Sequence, residues 1–583
     1  MRLSILIPLL PLVLPCWPNA SGVHAQTVGY FTNTTYKIVQ LTGETDSARR
    51  IPTTSRTYEN ECVTGTDLGS TFEHNGLLYF LFGDTPSLPC GTGTDDFLGW
   101  SDARRPEDIF LNVHKSVDCR GGSCFEPITI PGVRMAGCEV PSYGISVSGR
   151  IYMVATTDAL GNCDMGRSVM TVSEDDGRSF RRLYDLSTLD LDSSGASHID
   201  GAGKIINVSM VEVHGQRSQN LPEEPCVLIW GSGKYRGSNV RLAYVPSSQI
   251  ANRSAIRYLS GVDRRGSPLW SKEESNAIDL FDQPQIGELS VQFCGQLGQW
   301  IMLYNSDDFG SFHAGIHMRS ARWPWGPWSP EPTVVFDGWR DRAYGRYIHV
   351  STDIGQWDVF SDSPYVGPET SGGPYGPYLI PRFFHGDHDR ATIVYTMSTW
   401  NPYQAILMQS DIGYPDQLPP ERNSTFVTLP GSRGWKVSGN FLRPFVWTNG
   451  VPYVTSYADH GDADMGVAQY GFLPSSRDQA LEFGVHGGDA EVVLIEQTND
   501  TPTSPPDIPQ FYAALKRGDY GRVVETVIGP QSNDHELTVR WDLRRHCGKR
   551  MRLFVIDWLD RPWGFISVSQ ITRFSLNAAS HSH

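Results

Sequence analysis

Helical periodicity is nearly absent from this 583-residue chain; apolar residues seldom recur at three- and four-residue spacing. That points away from helical architectures and towards an all-β fold. Positive charge is also in short supply: 48 Lys and Arg face 64 Asp and Glu, a formal net charge of −16. Nucleic acid and anionic membranes both require a basic face, so neither is expected as a partner. After the first residues no apolar run is long enough to cross a bilayer, and no hydrophobic tail follows Phe574. No CxxC pair and no His-rich cluster suggests zinc.

What the chain does carry begins with a leader. Residues 1–25 have Arg2 as a charged start, an apolar core at 3–14 and a small-residue cleavage site at Val23-His24-Ala25. Pro8, Pro11 and Pro15 interrupt the core, which suits a cleaved signal peptide better than a retained anchor. The mature protein is therefore expected to be soluble, secreted and monomeric. Of the 10 Cys, Cys16 leaves with the leader, so an odd number remains. In an oxidising compartment most should pair. Cys119–Cys124 would close a small loop, and Cys62–Cys90 would tie the two ends of a hairpin. Cys138–Cys163 and Cys226–Cys294 are further candidates, with Cys547 the expected free thiol. Sequons at Asn33, Asn207, Asn252, Asn423 and Asn499 would mark surface sites in a glycosylating host. Sixteen Trp and 24 Tyr could stack on sugar rings, although aromatics also build ordinary cores.

Abundant Gly (58) and Pro (39) supply turns between short strand-like runs. The most informative stretch is 66–85, TDLGSTFEHNGLLYFLFGDT. Strands at 70–74 and 77–82 flank Asn75-Gly76, a strong hairpin signal. Asp67 and Asp84 lie at its outer ends, so an antiparallel hairpin makes them neighbours. Similar units follow. One opens at 137–141 and runs through 145–147, 151–156 and 168–173; the next contains 205–213, 227–231 and 241–245. A fourth opens at Ile286-Gly287-Glu288, with strands at 289–293, 300–304 and 315–320. A fifth opens at 374–378, with strands at 379–384, 392–398 and 405–409. Five units of roughly 60–90 residues suggest a five-bladed propeller over 26–430. Residues 415–434 read as a connector, and the alternating strands beyond read as a β-sandwich over 435–583, with a Pro-rich loop at 501–509. Ser173-Glu174-Asp175-Asp176-Gly177-Arg178-Ser179-Phe180 matches the Asp-box turn of sialidase-like propellers, a structural motif between outer strands. Trp323-Pro324-Trp325-Gly326-Pro327-Trp328 is either a packed outer turn, which is preferred, or an exposed aromatic platform.

TDLG, LFGDT, GELSV with WIMLY, YGPYLIP and YTMSTWNPYQAILMQS, spread over residues 66–410, resemble a family known as a domain of unknown function. Some of its members are endo-D-arabinanases. The C-terminal HGG, WDLRRHCGK and RPWGFI resemble the sandwich that follows the propeller in fructan-cleaving enzymes, where that module is mainly structural. The resemblance implies a secreted glycoside hydrolase acting on a furanoside-containing polysaccharide such as D-arabinan. Related propellers sometimes hold an axial ion such as calcium; no EF-hand-like cluster demands one here.

Glycoside hydrolysis uses two carboxyl groups flanking the bond. Residues that open the inner strands of a propeller face one another across a central funnel. Asp67 is assigned as nucleophile or general base, the role its equivalent takes in related arabinan-cleaving propellers. Glu288 is assigned as general acid, because a glutamate between a glycine and an apolar strand has little structural reason to be there. Asp84 either orients substrate and tunes its neighbours or is structural. Glu139 is the alternative acid and a candidate substrate contact. Tyr143, Tyr378, Trp400, Asn401 and Tyr403 are further candidate sugar contacts, and His349 and Arg346 are expected near the funnel. The competing readings are a non-catalytic carbohydrate-binding propeller and, more weakly, a sialidase.

Overall fold

The computed structural model describes residues 27–575, apart from 32–33, 47, 49–50, 64, 87–93, 117–123, 161–162, 195, 200–201, 215–222, 307–314, 339, 342, 351–370, 415–422, 429–433, 440–442, 447–451, 458–463, 476–477, 530–531, 561–563 and 570. The expected leader, Asn33, Cys90 and Cys119 lie outside the described residues. The described chain is nearly all-β; its α-helices are Thr57–Glu61 and Ile508–Arg517.

Five antiparallel sheets follow one another along the chain, each beginning with an inner strand: Asp67–His74, Pro141–Val147, Asn207–Val213, Ile286–Cys294 and Pro374–Leu379. Each inner strand packs against the next, and the fifth packs back against the first, so the sheets form a ring. The ring is closed by the N-terminus: Gly29–Tyr30 and Tyr36–Gln40 both pair with Tyr403–Gly413, adding outer strands to the fifth sheet. The expected inner strand at 379–384 is displaced. Pro374–Leu379 takes that place, and Pro381–Phe383 is a tight 3₁₀ turn, since Pro381 removes a ladder donor.

Local chemistry explains the hairpins. Asn75 (φ 49°) and Gly76 (φ 79°) both take the left-handed conformation a two-residue turn requires. Asp67 then pairs with Gly83, one residue from Asp84. Inner strands have one edge without a strand neighbour, so their N–H groups need other partners. Serines on the preceding inner strand supply them: Ser142 accepts from Val208 (3.0 Å), Ser209 from Val291 (2.9 Å) and Ser290 from Leu379 (2.8 Å). The register slips near the start of four inner strands, between Leu68 and Ser70, Pro141 and Tyr143, Ile286 and Leu289, and Tyr375 and Tyr378. Such bulges re-aim side chains at one rim.

Residues 423–575 form two sheets of seven and five strands that share one apolar core, with Phe483, Val485 and Trp541 from one and Leu494, Phe554 and Val555 from the other. Asn423–Thr428, inside the expected connector, pairs with Ile571–Ser575. The stretch after the Pro-rich loop is helical. Asp507 caps it by accepting from the Gln510 N–H (2.8 Å), Gly518 ends it at φ 82°, and Ile508, Phe511, Tyr512 and Leu515 form its buried face.

The Asp-box lies between the third and fourth strands of the second sheet. Asp175 accepts from the Ser179 N–H (2.9 Å) and hydroxyl (2.6 Å), and Ser173 accepts from the Gly177 N–H (2.9 Å). The Trp323–Trp328 turn has the same position in the fourth sheet and is packed: Trp325 and Trp328 belong to the core beside Trp230 and Trp300. Cys138 and Cys163 form a disulfide, and Cys62 and Cys124 are each disulfide-bonded to a partner outside the described residues. Cys226–Cys294 is not formed. Both thiols are free, because Cys226 is buried between the third and fourth sheets and Cys294 in the next core, beside the fifth. Cys547 is free and exposed, as expected. Asn207 is buried on an inner strand and cannot present a surface glycan as folded, whereas Asn252 and Asn499 are exposed.

Candidate active site

Strand starts and the loops beside them meet at one rim of the ring. Asp67 opens the inner strand of the first sheet, and Glu288 lies within the bulge of the fourth. The Asp67 side chain is buried, with Oδ2 accepting the Tyr375 hydroxyl at 2.8 Å. Burial, and then the charge of Asp84, push the Asp67 carboxyl well above the usual carboxylate range. The hydroxyls of Tyr375 and Tyr403 act in the opposite direction, and Glu288 adds to the rise.

Glu288 is held from the third sheet. Its Oε1 accepts the Tyr235 hydroxyl at 2.8 Å, and the Arg236 guanidinium lies 3.6 Å from Oε2. Both partners sit on the loop 233–239. Arg236 has φ 49°, an unusual conformation for a residue with a Cβ. Its guanidinium lies over the rings of Tyr235 (4.8 Å) and Tyr375 (6.0 Å). Tyr375 therefore bridges the two carboxyls: it donates to Asp67 and packs against the cation that faces Glu288.

Asp84 lies beside Asp67, as the hairpin predicts. Its carboxylate accepts the Cys138 N–H at 2.8 and 3.0 Å, and its own N–H donates to Asp96 Oδ1 at 3.0 Å. Burial raises the Asp84 carboxyl to about 6; the Cys138 hydrogen bond opposes the rise and Glu139 adds to it. Asp96 is buried on the third strand and is pushed well above its ordinary range by burial and by Asp84. Three carboxyls at one end of a sheet thus disfavour each other's ionisation.

Glu139 is differently placed. Both oxygens are occupied, by Arg134 (2.7 and 2.9 Å) and by the N–H groups of Ala136 (3.0 Å) and Ala159 (2.9 Å). These contacts fold the loop that presents the Cys138 N–H to Asp84. Tyr143 and Tyr378 pack together inside the ring, 6.1 Å between centroids, with Gln292 donating to the Tyr143 hydroxyl at 3.1 Å. Trp400 lies 6.0 Å from the Tyr375 ring and donates to the Ser371 carbonyl at 3.0 Å. Asn401 is buried, its carbonyl accepting the His349 N–H at 3.0 Å. Tyr403 is buried against Asp67. Arg346 does not reach the funnel; it pairs with Asp489 of the C-terminal unit.

Four side chains escaped the sequence reading. Asp96 follows the same logic as Asp67, a carboxylate near a strand end, and was legible in Asp95-Asp96. Tyr375 lies in the same opening as Tyr378, but only the bulge aims it at Asp67. Nothing in the sequence marks Tyr235 or Arg236. Among the described residues, the group of three side chains close enough to share a cation is Asp387, His388 and Asp389, on a turn at the opposite end of the fifth sheet from Trp400.

Residues 53–409 match the family profile of a domain of unknown function, DUF4185. No curated protein matches the chain. Among solved structures, an exo-β-1,3-galactanase from Phanerochaete chrysosporium aligns at 9% identity and TM-score 0.37, covering 93% of this chain and 100% of its own. An arabinoxylan arabinofuranohydrolase from Bacillus subtilis aligns at 12% and 0.31, covering 91% and 99%. An endo-1,5-α-L-arabinanase from Thermotoga petrophila aligns at 10% and 0.34, covering 70% and 92%. Likenesses this remote carry no assignment of activity.

Proposed function

This chain belongs to the DUF4185 family, and from the chemistry of its rim we propose that it is a secreted glycoside hydrolase acting on a furanoside-containing polysaccharide of the D-arabinan type. In this reading the five-sheet ring is a five-bladed propeller and residues 423–575 are an appended β-sandwich. The observation that carries it is the pairing of Asp67 and Glu288. They come from non-adjacent sheets, are both buried, and are linked through Tyr375 and Arg236. Two opposed carboxyls are what acetal cleavage requires. Asp67 acts as nucleophile or general base. Glu288 protonates the leaving oxygen, with Tyr235 fixing its orientation through Oε1. Trp400 and the adjoining loop contact the sugar. The Cys138–Cys163 disulfide supports the secretory route.

The test is to incubate the purified protein with D-arabinan, galactofuranan and fructan and to look for new reducing ends. Hydrolysis that disappears in Asp67→Asn and in Glu288→Gln is the expected result. Saturable binding without hydrolysis on any of these polymers would establish the binding-propeller alternative instead.

A further inference from the structure

The C-terminal unit meets the ring beside the site. Arg346 is 4% exposed, and its Nε lies 3.0 Å from Oδ1 of Asp489, which is 2% exposed. Asp489 sits in the turn between Asp478–Gly487 and Glu491–Gln497. Arg346 belongs to a compact turn, in which the N–H groups of Arg346, Tyr347 and Ile348 all donate to the Ala343 carbonyl at 3.1, 3.0 and 2.9 Å. A displacement of Arg346 therefore carries the turn with it.

That turn grips the loop 400–404 at two points. The His349 N–H donates to the Asn401 carbonyl at 3.0 Å, and Gln404 Nε2 donates to the Tyr347 carbonyl at 2.6 Å. The gripped loop carries Trp400 against Tyr375 and Tyr403 against Asp67. The Tyr403 carbonyl also accepts the N–H of Thr66, the neighbour of Asp67, at 3.3 Å. A continuous chain of short contacts thus runs from Asp489 to the Asp67 carboxyl. An ion pair this dry resists sliding, because separating its partners leaves a buried charge uncompensated.

We propose that Arg346 and Asp489 are positioning residues: through their ion pair the C-terminal unit holds the turn 343–349, and with it the Trp400–Gln404 loop, in register with Asp67. The C-terminal unit is then a working part of the site and not only a structural appendage. The kinetic arm of the test rests on the glycosidase reading; the exchange arm does not.

Full-length Asp489→Asn and Arg346→Met are compared by hydrogen–deuterium exchange with Arg346→Lys, which keeps a cation. The control is Arg545→Met, which loosens the same unit at Asp387 and Arg390 without touching the turn. Peptides covering 343–349 and 400–404 are expected to exchange about threefold faster or more in Asp489→Asn and Arg346→Met, but not in Arg346→Lys or Arg545→Met. In kcat/KM, the acid limb of the two slackened variants should move to higher pH, because the Tyr403 hydroxyl that favours ionised Asp67 is displaced. Wild-type exchange at 400–404 in Asp489→Asn, or an equal rise in Arg545→Met, overturns the proposal. Faster exchange in a protein that hydrolyses none of the polymers supports the positioning role and removes the glycosidase reading.

Discussion

Asp67, Asp84 and Asp96 are carboxyls that the folded protein holds against their ionisation. For Asp84 the consequence has a definite sign. Its folded value, about 6, lies above the unfolded one, so the folded state binds more protons between those values. Its contribution to stability is therefore greatest below about pH 4 and is lost as pH rises through about 6. Asp84→Asn should raise stability at pH 7.5 by about 1–3 kcal/mol, the upper figure being what a shift of about two units represents. At pH 4, where Asp84 is already protonated, it should be neutral or slightly harmful, since an amide NH2 replaces one of the two oxygens that the Cys138 N–H faces. Thermal denaturation at both pH values checks this, and equal effects at both would contradict it. Groups that cost stability at working pH are typical of sites selected for chemistry. The proposed catalytic pair makes a separate prediction. Asp67→Asn and Glu288→Gln should each lower turnover by about 10²–10⁴-fold. On a nitrophenyl furanoside, whose leaving group needs little protonation, Glu288→Gln should recover part of its rate and Asp67→Asn should not. Steady-state rates on natural and activated substrates, with circular dichroism as a folding control, decide the assignment.

At the scale of elements, outer turns hold the sheets while inner strand starts carry the buried carboxyls of the candidate site. The Asp-box turn is tied to its neighbour, because His74 hydrogen-bonds both Asp176 (2.9 Å) and Ser146 (2.8 Å). Asp175→Ala removes the acceptor for two Ser179 donors and should cost about 1–2 kcal/mol in a denaturant titration. It should leave the pH profile of activity unmoved, since the turn is remote from the rim; a displaced profile would show that outer turns communicate with the site. Elements whose signals are local were legible. Asn75-Gly76, the Asp-box and the packed tryptophan turn fold as their residues imply. The helix Ile508–Arg517 went unread although Asp507, Pro509 and Gly518 mark its ends, because its four-residue apolar stripe is short and is masked by the prolines before it.

For the whole molecule, the question is what keeps ring and C-terminal unit together. Arg390, at the outer end of the fifth sheet, is buried and pairs with Asp411 of the ring and with Glu525 (3.8 Å) and Asp542 (3.9 Å) of the C-terminal unit. Burial and the neighbouring Asp411 push Glu525 up to about 8, so even this cation does not fully satisfy the cluster. Arg390→Met would remove the cation bonded to buried Asp411 and should destabilise the protein by about 3–5 kcal/mol. Calorimetry should then show two transitions, as the units uncouple, where the wild type is expected to show one. A single transition at the wild-type midpoint would mean that the units are held together elsewhere, with Arg346–Asp489 the next contact to test.

The amino-acid sequence by itself determined the strand-rich architecture, the order of the units, the hairpin turns and the placement of Asp67 beside Asp84. These follow from alternation and turn chemistry, which act over a few residues. Tertiary structure alone decided the rest of the site. Tyr375 reaches Asp67 across 308 residues of chain, and Tyr235 and Arg236 reach Glu288 from a loop with no motif. Bulges, each a one-residue slip in register, select which side chains face the rim, and no local pattern announces them. The fate of Arg346 and of the Cys226–Cys294 pairing was set in the same way, by which layer of the ring each residue occupies. Contacts between segments far apart in the chain depend on closure of the whole ring, and closure is a property of all five sheets together with the N-terminal strands that complete the last.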